Sequence, residues 1–300
     1  MILGGDLLLK KILKASRPAT LVVAILSTTL GIIIAYRQDF MSGNFIWNLW
    51  RIFLITLAAL LLQSAINMMN NYFEEDVSDE FKSLRKYYFL GYKRSFEEIL
   101  TFKTGIIFFV ITAVIGLYLT YYSGIQLFII EIIGIFAAYA YAGEPFNYKK
   151  YGIGSIMSFI MMGPLLSYAS FYVFSNKFAL EPIIYSFTAG LFIPAILLAN
   201  EIRDYEEDKR KSVRTLTVRI GYKKGIMVYY FLISFTYIST IIFAICRYMP
   251  MLCIIVISTI PLVKKIKYCI GNNRKKLIPL TAKLYIIFSF EMFVVLIFTK

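Results

Sequence analysis

Apolar residues in this chain come in unbroken runs close to twenty long, separated by short stretches rich in charge and turn residues. Each run is long enough to cross the hydrocarbon core of a bilayer as a helix, which takes about 20 residues. The pattern predicts nine helices, near residues 19 to 36, 50 to 72, 103 to 122, 125 to 143, 153 to 174, 180 to 200, 223 to 246, 249 to 266 and 277 to 298. The stretch from 225 to 266 also divides differently around Arg247-Tyr248-Met249-Pro250. Alternating decamers that would mark a β-barrel are not the pattern here. The expected fold class is therefore all-α: a polytopic membrane protein whose residues 1–300 form one domain, a bundle of about nine helices around a central cavity with cytoplasmic cap loops. Gly163-Pro164 falls mid-way along the fifth span and predicts a kink or a thinning there for packing.

Composition agrees. With 59% hydrophobic and 17% charged residues and a mean hydropathy of +0.70, the chain carries too few polar side chains to cover a water-soluble fold of this length. The first residues, MILGGDLLLKKILKASRP, place their lysines after the leucines and show no small-residue cleavage site, so no removable signal peptide is expected. Histidine is absent, and Cys246, Cys253 and Cys269 have no CxxC spacing, which argues against zinc, haem and histidine acid–base chemistry. The net charge of +14 follows sidedness, not nucleic acid: of 32 Lys and Arg, 27 fall in the N-terminus and the loops on its side of the bundle. The other five are Arg37, Arg51, Lys177, Arg247 and Lys300. The positive-inside rule then makes the rich side cytoplasmic and the C-terminus external, in the cell (inner) membrane.

Acidic residues are distributed differently. Ten of the 18 occupy two windows, Glu74, Glu75, Asp76, Asp79 and Glu80 in one and Glu201, Asp204, Glu206, Glu207 and Asp208 in the other. Each lies at the cytoplasmic end of a predicted span and is led by asparagine. In the second window Asn200, Asp204 and Asp208 recur at i, i+4 and i+8, along one helical face. A ladder of oxygen ligands without nitrogen or sulfur suits a hard divalent cation, Mg²⁺ above all, which shares its coordination sphere with substrate phosphate and water. Arg203, Lys209, Arg210, Lys211 and Arg214 beside it would complement a diphosphate, arginine bidentately. Either window alone reads equally well as a solvated charged loop; the pairing is what points to a site.

Those residues resemble a family. NEIRDYEEDKRKSVRTLTVRIG (Asn200 to Gly221) is similar to the second Asp-rich motif of the UbiA superfamily of intramembrane prenyltransferases, and most like its 1,4-dihydroxy-2-naphthoate polyprenyltransferase (menaquinone) branch, N-x-x-R-D-x-x-x-D-x-x-x-G-K-x-T-L-A-x-R-x-G. SRPATLVVAILSTTLG (Ser16 to Gly31) resembles that family's A-R-P-x-T-L opening, NNYFEEDVSDE (Asn70 to Glu80) its N-D-Y-x-D-x-x-x-G-x-D, and YAGEPFNYKKYGIGSIMSFIMMGPL (Tyr141 to Leu165) its Y-x-x-P-P-F-x-L-K-Y-x-G-x-G-E. Asn71, Glu74 and Ser78 depart from the first motif, Ser212 and Val213 replace Gly-Lys in the second, and Glu144 and Ser155 replace Pro and Glu between them. The register of the first motif stays open: Tyr72-Phe73 favours a start at Asn70, whereas a purely helical spacing aligns Asn67, Asn71, Glu75 and Asp79.

The resemblance implies Mg²⁺ held by Asn70, Glu74, Asp79 and Glu80 with Asn200, Asp204 and Asp208. It implies a polyprenyl diphosphate whose head contacts Lys149, Arg203, Lys211 and Arg214, and Tyr141 near an allylic cation. An aromatic acceptor such as 1,4-dihydroxy-2-naphthoate would have its carboxylate near Arg17. Arg17 reads equally as a snorkelling interfacial cation, and Tyr141 as an aromatic-belt residue. Other acceptors (another quinone ring, a tetrapyrrole, a glycerol-phosphate lipid) fit the same superfamily. A secondary transporter would place its ionisable residues near the bilayer midplane; a scaffold leaves the acidic clustering unexplained. Glu131 and Glu291, inside predicted spans, read either as functional carboxyls or, more plainly, as ones that are protonated or bonded to a neighbouring helix.

Overall fold

A computed structural model describes residues 12–73, 86–210 and 213–299 of the chain. The long helices are α1 (Pro18–Arg37), α2 (Phe45–Phe73), α3 (Phe96–Ser123), α4 (Ile125–Ala142), α5 (Gly154–Ser175), α6 (Glu181–Arg210), α8 (Tyr222–Ile245) and α10 (Leu277–Phe298). A hairpin, β1 (Lys86–Phe89) and β2 (Tyr92–Ser95), precedes α3 with Phe89 paired to Tyr92 across its turn. The short helix α7 (Leu216–Ile220) links α6 to α8, and α9 (Ile260–Asn272) precedes α10.

Among the described residues, eight helices are long and apolar enough to cross a membrane. The ninth predicted run, 249 to 266, takes another form: a 3₁₀ helix over Met251–Thr259 runs directly into α9. Pro261 explains the change of winding. It has no N–H and its ring crowds the carbonyl four residues back, so the bond that closes this segment is the tighter one from Ile260 N to Ile257 O. At about 2.0 Å per 3₁₀ residue and 1.5 Å per α residue the combined segment reaches roughly 37 Å, more than the ~30 Å hydrocarbon core. That length is enough to return across the bundle. Arg37, at the end of α1, donates to Thr299 Oγ1 (2.6 Å) beyond α10, and Arg51 near the start of α2 donates to Val173 O (3.0 Å) near the end of α5. The ends of α1, α5 and α10 therefore share one side, opposite Arg17. In each case a guanidinium meets carbonyls at a helix C-terminus, the negative end of its dipole.

Central α1 packs on α2, α5, α6 and α10. Its crossing with α5 is close: a Cβ on Gly31 would lie 2.1 Å from Ser167 O, so only glycine fits. Such small-residue contacts are how helices associate where lipid removes the hydrophobic incentive. Outward, Ile107, Val110, Val114, Leu117 and Tyr121 on α3, spaced three and four apart, stay exposed, a face suited to acyl chains. At Pro164 α5 widens into a π-helical segment, Met161–Leu165, where Gly163 faces Gly190 of α6. Glu131 and Glu291 each receive a hydroxyl, from Thr120 (3.0 Å) and Ser258 (2.5 Å).

Candidate active site

Helix α2 stays helical through Phe73, and its last turns use their asparagines in two directions. Asn67 Nδ2 donates to Ser16 O (2.7 Å) and Thr20 Oγ1 (2.9 Å), and Asn71 Nδ2 to Ala15 O (3.3 Å). Arg17 returns a bond to Asn71 Oδ1 at 2.6 Å. These bonds hold Arg17 at φ 52°, a left-handed conformation that costs a non-glycine residue on the order of 1 kcal/mol or more. Asn70 turns the other way. It is 3% exposed, and its Oδ1 accepts from Lys149 Nζ at 3.2 Å.

Lys149 belongs to a 3₁₀ turn, Tyr148–Tyr151, between α4 and α5. Its ammonium lies 6.0 Å from the centre of the Tyr141 ring and attracts the carboxyls of Glu201 and Asp208 on α6. Asn70 at the end of α2 and two acids of α6, Glu201 and Asp208, thus interact with one cation. Tyr141 and Tyr148 meet edge to face at 5.6 Å. The Tyr148 hydroxyl donates to Ala137 O (2.9 Å), and burial, reinforced by Tyr141, pushes its phenol well above the ordinary tyrosine value.

The second window is helical throughout, since α6 runs to Arg210 rather than stopping near 200. Lys209 and Arg210 in its last turn offset the unfavourable placing of acids at a helix C-terminus. Asn200, Asp204 and Asp208 lie on one face as the spacing predicts. Arg203 sits among them: it grips both oxygens of Asp204, at 2.6 and 2.5 Å, and donates to Asn200 Oδ1 at 2.7 Å. Arg214 is exposed, with its carbonyl accepting from Arg219 Nε at 2.9 Å. Glu74, Asp79, Glu80 and Lys211 lie outside the described residues.

Beneath this polar mouth is a cavity of about 200 Å³. Arg17, Asn67, Asn70, Tyr141 and Tyr148 form its entrance; Ile55, Ala58, Leu119, Met162 and Ile196 are among its apolar walls. Glu131 lies at the far end, ten residues before Tyr141 on α4 and so about 15 Å deeper. Both α2 and α6 contribute walls, so the last turns of α2 and the helix that carries the second window border one hollow. Among the described residues no three acids, cysteines or histidines converge as a metal cluster. The donor set nonetheless suits a hard cation: carboxamide and carboxylate oxygens, two of whose bearers are already matched by the positive charge of Arg203 and one by Lys149. Sequence reasoning missed Tyr148 and the Asn67–Ser16 link; the first carries no signal beyond one more interfacial tyrosine, whereas the second was latent in the Asn67, Asn71 spacing.

Membrane-length helices around an apolar hollow, with Arg17, Asn70 and the Lys149 cluster at one end of it, define an integral membrane protein with an amphipathic site. Residues 24–287 match the model of the UbiA prenyltransferase family, and the chain belongs to that family: it is a prenyltransferase. It is 26% identical over 251 residues to 2-carboxy-1,4-naphthoquinone phytyltransferase of Synechocystis sp., covering 83% of this chain and 78% of that one. To 1,4-dihydroxy-2-naphthoate octaprenyltransferase of Haemophilus influenzae it is 24% identical over 290 residues, 91% of this chain and 90% of the other. The fold matches a UbiA homolog from Archaeoglobus fulgidus, described as bound to DMAPP and Mg²⁺, with a TM-score of 0.63 at 16% identity, over 95% of this chain and 99% of that one.

Proposed function

We propose that this chain transfers a polyprenyl group from an allylic diphosphate to an aromatic acceptor of the 1,4-dihydroxy-2-naphthoate kind, with Mg²⁺ as cofactor, in menaquinone biosynthesis. The observation that carries this reading is Asn70, which lines the apolar cavity, bonded to Lys149, whose charge also attracts Glu201 and Asp208 of α6. Relatives whose names specify naphthoate or naphthoquinone acceptors support the ring class. The protein lies in the cell membrane with this mouth cytoplasmic.

Asn70, Glu74, Asp79 and Glu80 with Asn200, Asp204 and Asp208 would hold the metal. When bound, Mg²⁺ supplies neutralisation of the charge that develops on a departing diphosphate. Lys149, Arg203, Lys211 and Arg214 bind phosphate oxygens, while the prenyl tail lies along the apolar walls. The allylic C–O bond breaks with its electron pair leaving on the diphosphate. An electron-rich ring carbon then bonds to the allylic carbon, and the ring sheds a proton, or carbon dioxide where that carbon bears a carboxyl. Arg17 faces the acceptor's carboxylate. Tyr141 offers its π face to the cation, worth about 0.5–2 kcal/mol, and Tyr148, held as a neutral phenol, does not trap it as a phenolate. Apolar walls keep water, a competing nucleophile, away.

Purified protein supplied with Mg²⁺, a labelled allylic diphosphate and 1,4-dihydroxy-2-naphthoate is expected to release diphosphate and form an apolar product. Asp204→Ala and Asp208→Ala should each lower turnover by more than about a hundredfold with thermal stability retained. Full activity in either variant refutes its assignment; turnover only with a different ring moves the acceptor and leaves the donor chemistry standing.

A further inference from the structure

Within the second window, the acid next to Asn200 is engaged differently from the ladder. Glu201 Oε2 accepts from Thr217 N at 2.8 Å and from Thr217 Oγ1 at 2.9 Å, sixteen residues along the chain. Thr217 is the second residue of α7, so its N–H is among those a helix leaves without an internal partner. Glu201 satisfies it from outside, while Thr215 caps the same end by accepting from Val218 N at 3.4 Å. Thr217 is completely buried. A Cβ on Gly225 would stand 2.6 Å from Thr217 Cγ2, so the glycine lets α8 close over the joint. Two further bonds shape the connection: Val213 N donates to Asp208 O at 2.8 Å, and Arg219 Nε to Arg214 O at 2.9 Å. The described part of the connection, from Val213 on and carrying Arg214, is therefore bonded to Asp208 and fastened back onto α6 through Glu201.

We propose that Glu201 is a positioning residue and not a metal ligand: its carboxylate latches α7 to α6 and thereby holds the basic α6–α7 connection where the diphosphate binds. This deepens the diphosphate reading above and rests on it. A glutamine keeps the accepting oxygen but loses the charge a metal would need; an alanine loses both. With saturating Mg²⁺ and varied labelled allylic diphosphate, Glu201→Ala is expected to raise KM for the diphosphate about tenfold or more with kcat changed less than about threefold, the size of loss expected when the buried N–H and hydroxyl of Thr217 lose their acceptor. Glu201→Gln should keep both constants and the Mg²⁺ half-saturation near those of the parent. Thr217→Val, which removes the hydroxyl and leaves the N–H, should fall between.

Limited trypsin digestion without substrate or metal gives a readout independent of activity. Cleavage after the basic residues between Lys209 and Arg214 is expected to be faster in Glu201→Ala and Thr217→Val than in the parent and Glu201→Gln. A Glu201→Gln protein as defective as Glu201→Ala, with a raised Mg²⁺ requirement, assigns Glu201 to the metal and overturns the proposal. Equal digestion rates in all four proteins overturn the latch. Should the parent itself transfer no prenyl group, the functional reading fails while digestion still decides the latch.

Discussion

Lys149 is the side chain that links the end of α2 to α6, because one ammonium both donates to Asn70 and attracts Glu201 and Asp208. Three donors on a flexible stem let it change partners when phosphate arrives. Lys149→Ala is expected to lower kcat/KM for the polyprenyl diphosphate about 10- to 100-fold, the range for a lost hydrogen bond to a charged group. Steady-state kinetics at fixed acceptor check this, and an unchanged ratio removes Lys149 from the diphosphate site. Sequence spacing left two registers for the first motif, and side-chain direction separates the asparagines: Asn67 and Asn71 tie down the Ser16–Thr20 segment while Asn70 meets Lys149. Spacing alone was silent here because Asn67, Asn70 and Asn71 all fall within one and a half helical turns, and only the neighbours on either side distinguish them.

Among the elements, the long apolar helices were legible because twenty lipid-compatible residues admit few structures other than a helix, whose backbone hydrogen bonds are internal. Two features were not. The hairpin Lys86–Ser95 sits in a stretch whose charges suggest only a loop; it is fixed by docking, with Arg94 Nε donating to Tyr72 O (2.8 Å), Tyr72 OH to Phe89 O (2.5 Å), and Tyr72, Phe73, Phe89, Tyr92 and Phe102 packed together. The start of α3 at Phe96 rather than near 103 follows from a capping box: Glu98 N donates to Ser95 Oγ (3.2 Å) and Ser95 N to Glu98 Oε2 (2.6 Å). Ser95→Ala is expected to destabilise the protein by about 1 kcal/mol. Thermal unfolding in detergent should show a lowered midpoint with KM for the diphosphate unchanged; a raised KM would instead tie this cap to the site.

For the whole molecule, bonds joining the ends of α1 and α10 set the start of α1 and the end of α10 on opposite faces of the bundle. Combined with the charge asymmetry, this predicts a cytoplasmic N-terminus and an external C-terminus. A reporter active only outside the cell membrane should be active after Lys300 and inactive before Met1; the reverse pattern would invert the mouth, and equal behaviour would mean that the segment Met251–Asn272 does not cross.

The chain's own order of residues was enough to determine a helical membrane bundle and the two acidic windows, because these depend on hydropathy and helical period, both local or additive along the chain. Tertiary structure alone decided that Lys149 bonds Asn70 and attracts Glu201 and Asp208 of α6, that one cavity is lined by both α2 and α6, and that Glu201 turns to Thr217 while Asp204 turns to Arg203. Those outcomes depend on which helices touch and at what height. That is settled by close packing of small residues such as Gly31 and Gly225 and by pairing of buried polar groups, neither of which has a period that the sequence displays.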